Sequence, residues 1–282
     1  MVPPRFGRRY PECLFGLFRK LSRRRLSRRP LPAAWLPHLE RRVPFFRDIE
    51  SPLRERFLNH LKVFAWEKSF VGAGGQEIDD EVRVVVSAAA VRLVLYLDLS
   101  YYDRLSEIVV YPEAFRRPGE EEWILGEAHT WGTVVLAWKS VLLGLANQED
   151  GHDTATHEFA HVLDRAGGAF DGTPELRARP HYRPWAQVMT RNYLALRRGA
   201  GRARKVLRQY GASNEAEFFA VATEAFFEKP RQMRKHTPEL YAELERFYRR
   251  DPAHERQKPT GRKADEAIIA SSLLDANEVG SG

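Results

Sequence analysis

From Pro37 to about Phe70 apolar residues return at helical spacing, with Phe46 followed by Leu53, Phe57, Leu61 and Phe64. Gly72, Gly74 and Gly75 interrupt that pattern. Residues 79–97, with an alanine-rich middle at Ala88, Ala89 and Ala90, read as a buried helix. Three short β-type runs follow: Ile108 to Tyr111, Trp123 to Gly126 and Thr133 to Trp138. Helical periodicity then resumes at about 139–146, 154–166, 183–198, 214–228 and 238–249. No internal repeat is visible. Helices, a small sheet, then a mostly helical second half predict an α+β fold.

The ends of the chain differ from this middle. Residues 1–32 are a basic N-terminal extension, residues 33–250 carry the periodic pattern of one folded domain, and residues 251–282 turn polar, as a poorly ordered tail does. The 282 residues carry a net charge of +7, with 45 basic and 38 acidic side chains. Ten of the bases and a single acid, Glu12, lie in residues 1–30, which leaves 35 bases against 37 acids elsewhere. The basicity therefore belongs to the extension, and says little about the partners of the domain.

Within the extension, Leu14, Phe15, Leu17, Phe18 and Leu21 sit at roughly helical spacing beside the arginines. Such a helix could rest on an anionic membrane surface or a partner; a solvated or locally packed extension fits the same pattern. The apolar patch is too short for a secretory signal, since Arg19 and Lys20 close it. No stretch reaches the ~20 apolar residues of a membrane span. The single cysteine, Cys13, excludes an intrachain disulfide and a cysteine-built metal site, and suits a reducing, cytoplasmic setting.

The chemistry centres on His157-Glu158-Phe159-Ala160-His161. Two imidazoles at i and i+4 on a helix lie one turn apart on one face, so both can reach one ion. Glu158, rotated about 100° from His157, can then reach a water at that ion without being a ligand. The helix has the right punctuation: Asp153 or Thr154 to cap it, Phe159, Val162 and Leu163 to bury one side, and Gly167-Gly168 to end it. A catalytic zinc keeps three protein ligands and one open position. Asp164, Glu175, His181, Glu215, Glu217 and Glu224 are all candidates for the third. The segment 214–228 places Glu217, Val221, Glu224 and Glu228 along one helical stripe, yet Asn214-x-x-Glu217 is also the spacing of a capping box. Spacing alone leaves both readings of Glu217 open. Asp164 likewise reads either as a carboxylate orienting a ligand imidazole or a neighbouring base, or as a helix-end ion pair with Arg165 or another arginine, and Glu224 poses the same question.

Beyond the motif, the chain resembles the Mlc titration factor A family of zinc peptidases, whose catalytic core is similar to that of anthrax lethal factor. The likeness runs through Leu31 to Trp35, Val43 to Phe46, Ile108 to Pro112, Gly132 to Trp138, Gly151 to Asp153, His157 to Asp164, Tyr210 to Glu228 and Pro238 to Pro252. It implies a zincin-like metallopeptidase domain, Zn²⁺ held by His157, His161 and Glu217, and Glu158 as general base. It also implies that Tyr210 steadies the oxyanion, and it leans towards small peptides cleaved in the aminopeptidase manner. The extension lies outside the core motifs, and the resemblance assigns it no role.

Two expectations concern partners. A peptide substrate is expected to add as a strand to a sheet edge, for which Gly132–Trp138 is the candidate. The family's name further implies an anti-repressor that sequesters a transcriptional regulator of sugar uptake. No specific nucleic-acid partner is expected, because the net positive charge is confined to the extension.

Overall fold

The computed structural model describes residues 10–115, 125–129 and 132–255. The run 123–126 is therefore seen only from residue 125. Of the tail expected over 251–282 only residues 251–255 are described, where Pro252–Glu255 form a short helix with Pro252 and Ala253 buried and not a tail.

The first half is helical. Helix α1 (Tyr10–Ser27) precedes α2 (Trp35–Arg42), α3 (Pro44–Arg47) and α4 (Ser51–Glu67), and strand β1 (Ser69–Gly72) follows at once. The long helix expected from Pro37 to Phe70 is thus broken at Val43–Pro44 and again at Ile49–Pro52, because proline cannot donate to the preceding turn. Helix α5 (Asp80–Val94) starts where Asp79 accepts from the backbone N–H of Val82 at 2.8 Å. Its valines and alanines are buried on every side, as a central helix requires.

Strands β2 (Glu107–Tyr111), β3 (Gly126–His129) and β4 (Thr133–Ala137) complete a four-stranded sheet of order β1-β2-β4-β3. β1, β2 and β4 are parallel, and β3 runs antiparallel to β4. This corrects the expected edge: Gly132–Trp138 contains an internal strand, and β3 lies at the rim. Val134 to Ala137 are buried without alternation, the pattern of a strand covered on both faces. The α+β class holds, with helices dominating the second half.

After the sheet come α6 (Trp138–Ala146), α7 (Thr154–Ala166), α8 (Arg179–Arg197), α9 (Glu215–Glu228), α10 (Pro230–His236), α11 (Pro238–Tyr248) and the short α12 (Pro252–Glu255), in which Pro252 and Ala253 are buried. Helix α7 lies against β3, β4, α5, α6 and α9. An aromatic cluster of Trp185, Phe219, Phe226, Phe227, Tyr241, Phe247 and Tyr248 ties α8, α9 and α11 together. The effect is to hold α9 rigidly beside α7, and that pair of helices positions the site.

Candidate metal centre

Helix α7 is buried from Thr154 to Asp164. Asp153 caps it, accepting from the Thr156 backbone N–H at 3.0 Å and from its hydroxyl at 2.7 Å. His157 and His161 consequently project from the same face, with their Nε2 atoms 3.2 Å apart. Helix α9 delivers Glu217 to the same point: its Oε2 is 3.0 Å from Nε2 of His157 and its Oε1 is 3.4 Å from Nε2 of His161.

The capping and ligand-like readings of Glu217 turn out to be compatible. Asn214 Oδ1 accepts from the backbone N–H of Glu217 at 2.9 Å, while the Glu217 carboxylate points away to the two histidines. The cap fixes the first turn of α9 and so aims the side chain. Glu215 is exposed on another side of the same turn.

Among the described residues, His157, His161 and Glu217 form the one group whose ligand atoms converge, all within 4.8 Å of one another. Their closest approaches of 3.0, 3.2 and 3.4 Å suit a four-coordinate ion, whose ligand atoms sit ~3.3 Å apart for bonds of ~2.0–2.1 Å. Two imidazole nitrogens and a carboxylate form a donor set that fits a divalent metal.

The electrostatics point the same way. His157 is pushed up to about 10: burial opposes its positive charge, but hydrogen bonds to Glu217 and Glu224 outweigh that cost. Burial lowers His161. Glu217 is buried enough to resist ionisation, yet the two histidines hold it far below the ordinary carboxylate range. The imidazolium form of His157 donates through Nδ1 to Glu224 and through Nε2 to Glu217, which puts positive charge where a cation is expected. Glu158 is fully enclosed, and burial raises it to about 8 although His157 pulls the other way.

Glu224, a carboxylate that the sequence offered as a candidate, supports the centre, and further neighbours were not evident in the sequence. Glu224 Oε1 accepts from Nδ1 of His157 at 2.7 Å, fixing the imidazole so that Nε2 faces Glu217. Arg208 donates to that same oxygen, and the Asp153 backbone N–H donates to Glu224 Oε2 at 2.8 Å. Gly126 of β3 passes directly over Glu158: a Cβ there would lie 2.7 Å from both Cγ and Oε1 of Glu158. A glycine inside a strand signals such a close approach, so this contact was legible in principle. Phe170 lies beside the centre, its ring 5.2 Å from that of His161 and 4.4 Å from the guanidinium of Arg165.

Tyr210 stands at the rim, half exposed, with its ring 5.9 Å from that of His157. Among the described residues Asp164 forms no hydrogen bond to the histidines, which corrects the orienting reading. Its carboxylate accepts from the backbone N–H of Gly172 at 2.9 Å and pins the loop after α7, and its charge acts on Arg165 without a close ion pair. The remaining candidates lie elsewhere, with Glu175 exposed and His181 on α8.

Comparison with known proteins agrees with this geometry. Residues 18–249 match the family model described as glucose-regulated metallo-peptidase M90. An uncharacterized protein of Synechocystis sp. (strain ATCC 27184 / PCC 6803 / Kazusa) is 35% identical over 242 residues, covering 81% of this chain and 88% of its own. The Mlc titration factor A of Edwardsiella ictaluri (strain 93-146) is 33% identical over 176 residues, covering 56% of this chain and 66% of its own. That of Yersinia pestis (strain Pestoides F) is 26% identical over 237 residues, covering 78% and 85%. A metallopeptidase family implies a metal, and a convergent His-His-Glu group of the required chemistry is present on α7 and α9. The chain belongs to the M90 family of metallopeptidases.

Proposed function

We propose that this protein is a zinc peptidase in which His157, His161 and Glu217 hold the ion. The observation that carries the proposal is the convergence of those three side chains beside a buried carboxylate, Glu158, directly under an edge strand. The borderline ligand set of two nitrogens and one carboxylate favours zinc. When bound, the ion would polarise the scissile carbonyl and bring a water towards a pKa of ~7.

The chain's own residues do the rest. The rim strand β3 accepts an extended peptide as an added strand, which brings its carbonyl over Glu158. Glu158 takes the proton of the attacking water and returns it to the leaving amine. A buried carboxylate of raised proton affinity suits both halves of that cycle. The Tyr210 hydroxyl donates to the oxyanion as charge develops there. Glu224, backed by Arg208, keeps the His157 ring in place throughout. On the family resemblance, the substrates are small peptides cleaved in the aminopeptidase manner, in the cytoplasm.

The decisive experiment pairs metal content with turnover. Glu158→Gln should retain one zinc per chain and lose peptide hydrolysis, whereas Glu217→Ala should lose the zinc and Glu215→Ala should keep it. Zinc retained in Glu217→Ala would overturn the ligand assignment. The relatives named Mlc titration factor A carry a second role in that name, titration of Mlc. An equivalent anti-repressor role for this chain is supported by the name alone, and Glu158→Gln separates the two, because sequestration needs no turnover.

A further inference from the structure

Among the described residues, the contacts of helix α1 with the domain lie on one side. Arg23 donates to both carboxylate oxygens of Glu67, at 2.6 and 2.7 Å, and pairs with Asp103 at 2.7 Å. Arg19 pairs with Asp103 at 2.8 Å. Leu26 packs on the core, and Lys62 donates to the carbonyls of Ser27 and Arg29 where the helix ends. These contacts set which way the rest of the helix faces.

The opposite side is exposed and has an unusual make-up. Leu17, Phe18 and Leu21 are 57%, 67% and 54% exposed. Arg24 and Arg25, with Arg28 just beyond the helix, are exposed and form no ion pair with a described residue. At 100° per residue, all six fall within an arc of about 120°. The face is therefore apolar in its first half and cationic in its second. Between Glu12 and Glu40 the sequence contains no acid to offset it.

We propose that this face of α1 docks the enzyme on an anionic lipid bilayer, with Leu17, Phe18 and Leu21 entering the acyl boundary and Arg24, Arg25 and Arg28 on the headgroup phosphates. Three large apolar side chains held in water by an otherwise well-packed domain need a nonpolar destination, which a nucleic-acid backbone does not offer. The arginines on the same face supply the charge complementarity that an anionic leaflet rewards. The helix is attached along the side of Arg19, Arg23 and Leu26, which leaves the exposed side open to a flat surface. No described helix is long and apolar enough to cross a membrane, so the mode is lying on the surface. A surface-held peptidase would meet peptides at the membrane face, in addition to the chemistry proposed above and independent of it.

The test is co-sedimentation of the full chain with vesicles of phosphatidylglycerol and phosphatidylcholine, against vesicles of phosphatidylcholine alone. The wild-type protein should bind the first and not the second, and binding should weaken with added salt. Replacing Arg24, Arg25 and Arg28 together by Gln should weaken binding about a hundredfold, at roughly fivefold per cation. The combined Leu17→Ser, Phe18→Ser, Leu21→Ser variant should lose binding at physiological salt, with an unchanged circular dichroism spectrum. The Phe18→Trp variant, with wild-type emission subtracted, should show a blue shift on anionic vesicles. Failure of the wild type to bind, or an unshifted emission from Phe18→Trp, would overturn the proposal. So would full binding by the triple-serine variant, which would make the face a simple polyanion site for nucleic acid.

Discussion

Glu224 and His157 are joined by a 2.7 Å hydrogen bond that sets the direction of the imidazole inside the centre. The bond leaves Nδ1 engaged and Nε2 free to meet Glu217 and His161. Glu224 is completely buried, and Arg208 and the Asp153 backbone hold it in turn. The chain of contacts runs from α9 back to the capped start of α7, so the two helices fix each other at the point where the metal is expected.

Glu224→Gln should therefore weaken zinc binding by 10- to 100-fold, the usual cost of losing the carboxylate behind a ligand histidine. Competition with a zinc chelator measures it directly. The loss should exceed that of Arg208→Lys, which keeps a cation near Glu224 but not the planar fork. Equal affinity in Glu224→Gln and wild type would mean that helix packing alone orients His157.

Gly126 tests the role of the rim strand. A side chain at this position would meet Glu158 and Thr154 at 2.7–2.8 Å, with no space to yield except by moving β3 or Glu158 itself. Gly126→Val should reduce kcat/KM by at least about a hundredfold, since a shift near 1 Å of a catalytic group costs that much. Zinc content should stay at the wild-type level, because the close contacts at Gly126 are with Glu158 and Thr154 and with none of the three expected ligands. A variant that hydrolyses peptides normally would place the substrate elsewhere.

Much of this arrangement was legible in the sequence, and the failures have physical causes. The i, i+4 spacing of His157 and His161, with the cap and glycines around them, marked the helix, because a helical turn brings those positions together whatever the surrounding fold. Glu217 could not be chosen from spacing, since a cap and a ligand ask for the same residue at the same offset; only the direction of its side chain separates them, and α9 turned out to serve both. Glu224 was visible as a candidate on the α9 stripe, but its partner was not: His157 is distant in sequence, and no local pattern encodes a contact between α7 and α9. Arg208, which donates to Glu224 and to the Gly151 carbonyl, was hidden for the same reason. The mistaken edge at Gly132–Trp138 has a simpler origin. A continuous apolar run fits an internal strand better than a rim, and β3, a rim strand, begins at Gly126 where the run read over Trp123–Gly126 ends, its polar residues masking the continuation.

Tyr210 is half exposed at the mouth of the centre, well placed to act on charge that appears only during the reaction. Tyr210→Phe removes one hydroxyl and keeps the ring beside His157. We expect kcat to fall by about 10²–10³ with KM changed little, the pattern for a donor used mainly in the transition state. Steady-state kinetics on a small peptide measures it, and an increase in KM alone would show that Tyr210 binds substrate instead.

The last prediction concerns stability and acid. Glu67 sits under α1 with its carboxylate held down to about 2: burial favours the neutral form, but the hydrogen bond from Arg23 and the charge of Lys68 outweigh it. A folded-state pKa below the unfolded one stabilises the protein above the unfolded value and loses that stabilisation as pH falls towards the folded one. The Arg23–Glu67 contribution should thus be whole above pH ~4.5 and disappear between there and about 2. Arg23→Met keeps much of the side-chain volume and removes both hydrogen bonds to Glu67. It should cost about 2 kcal/mol near neutral pH, as for a charge-assisted bond in a partly buried site, and nearly nothing at the acid end. Urea melts of both proteins across pH 2 to 7 would show the two midpoints converging as pH falls. A constant gap would mean that Arg23 contributes by packing α1 on α4 and not by its charge.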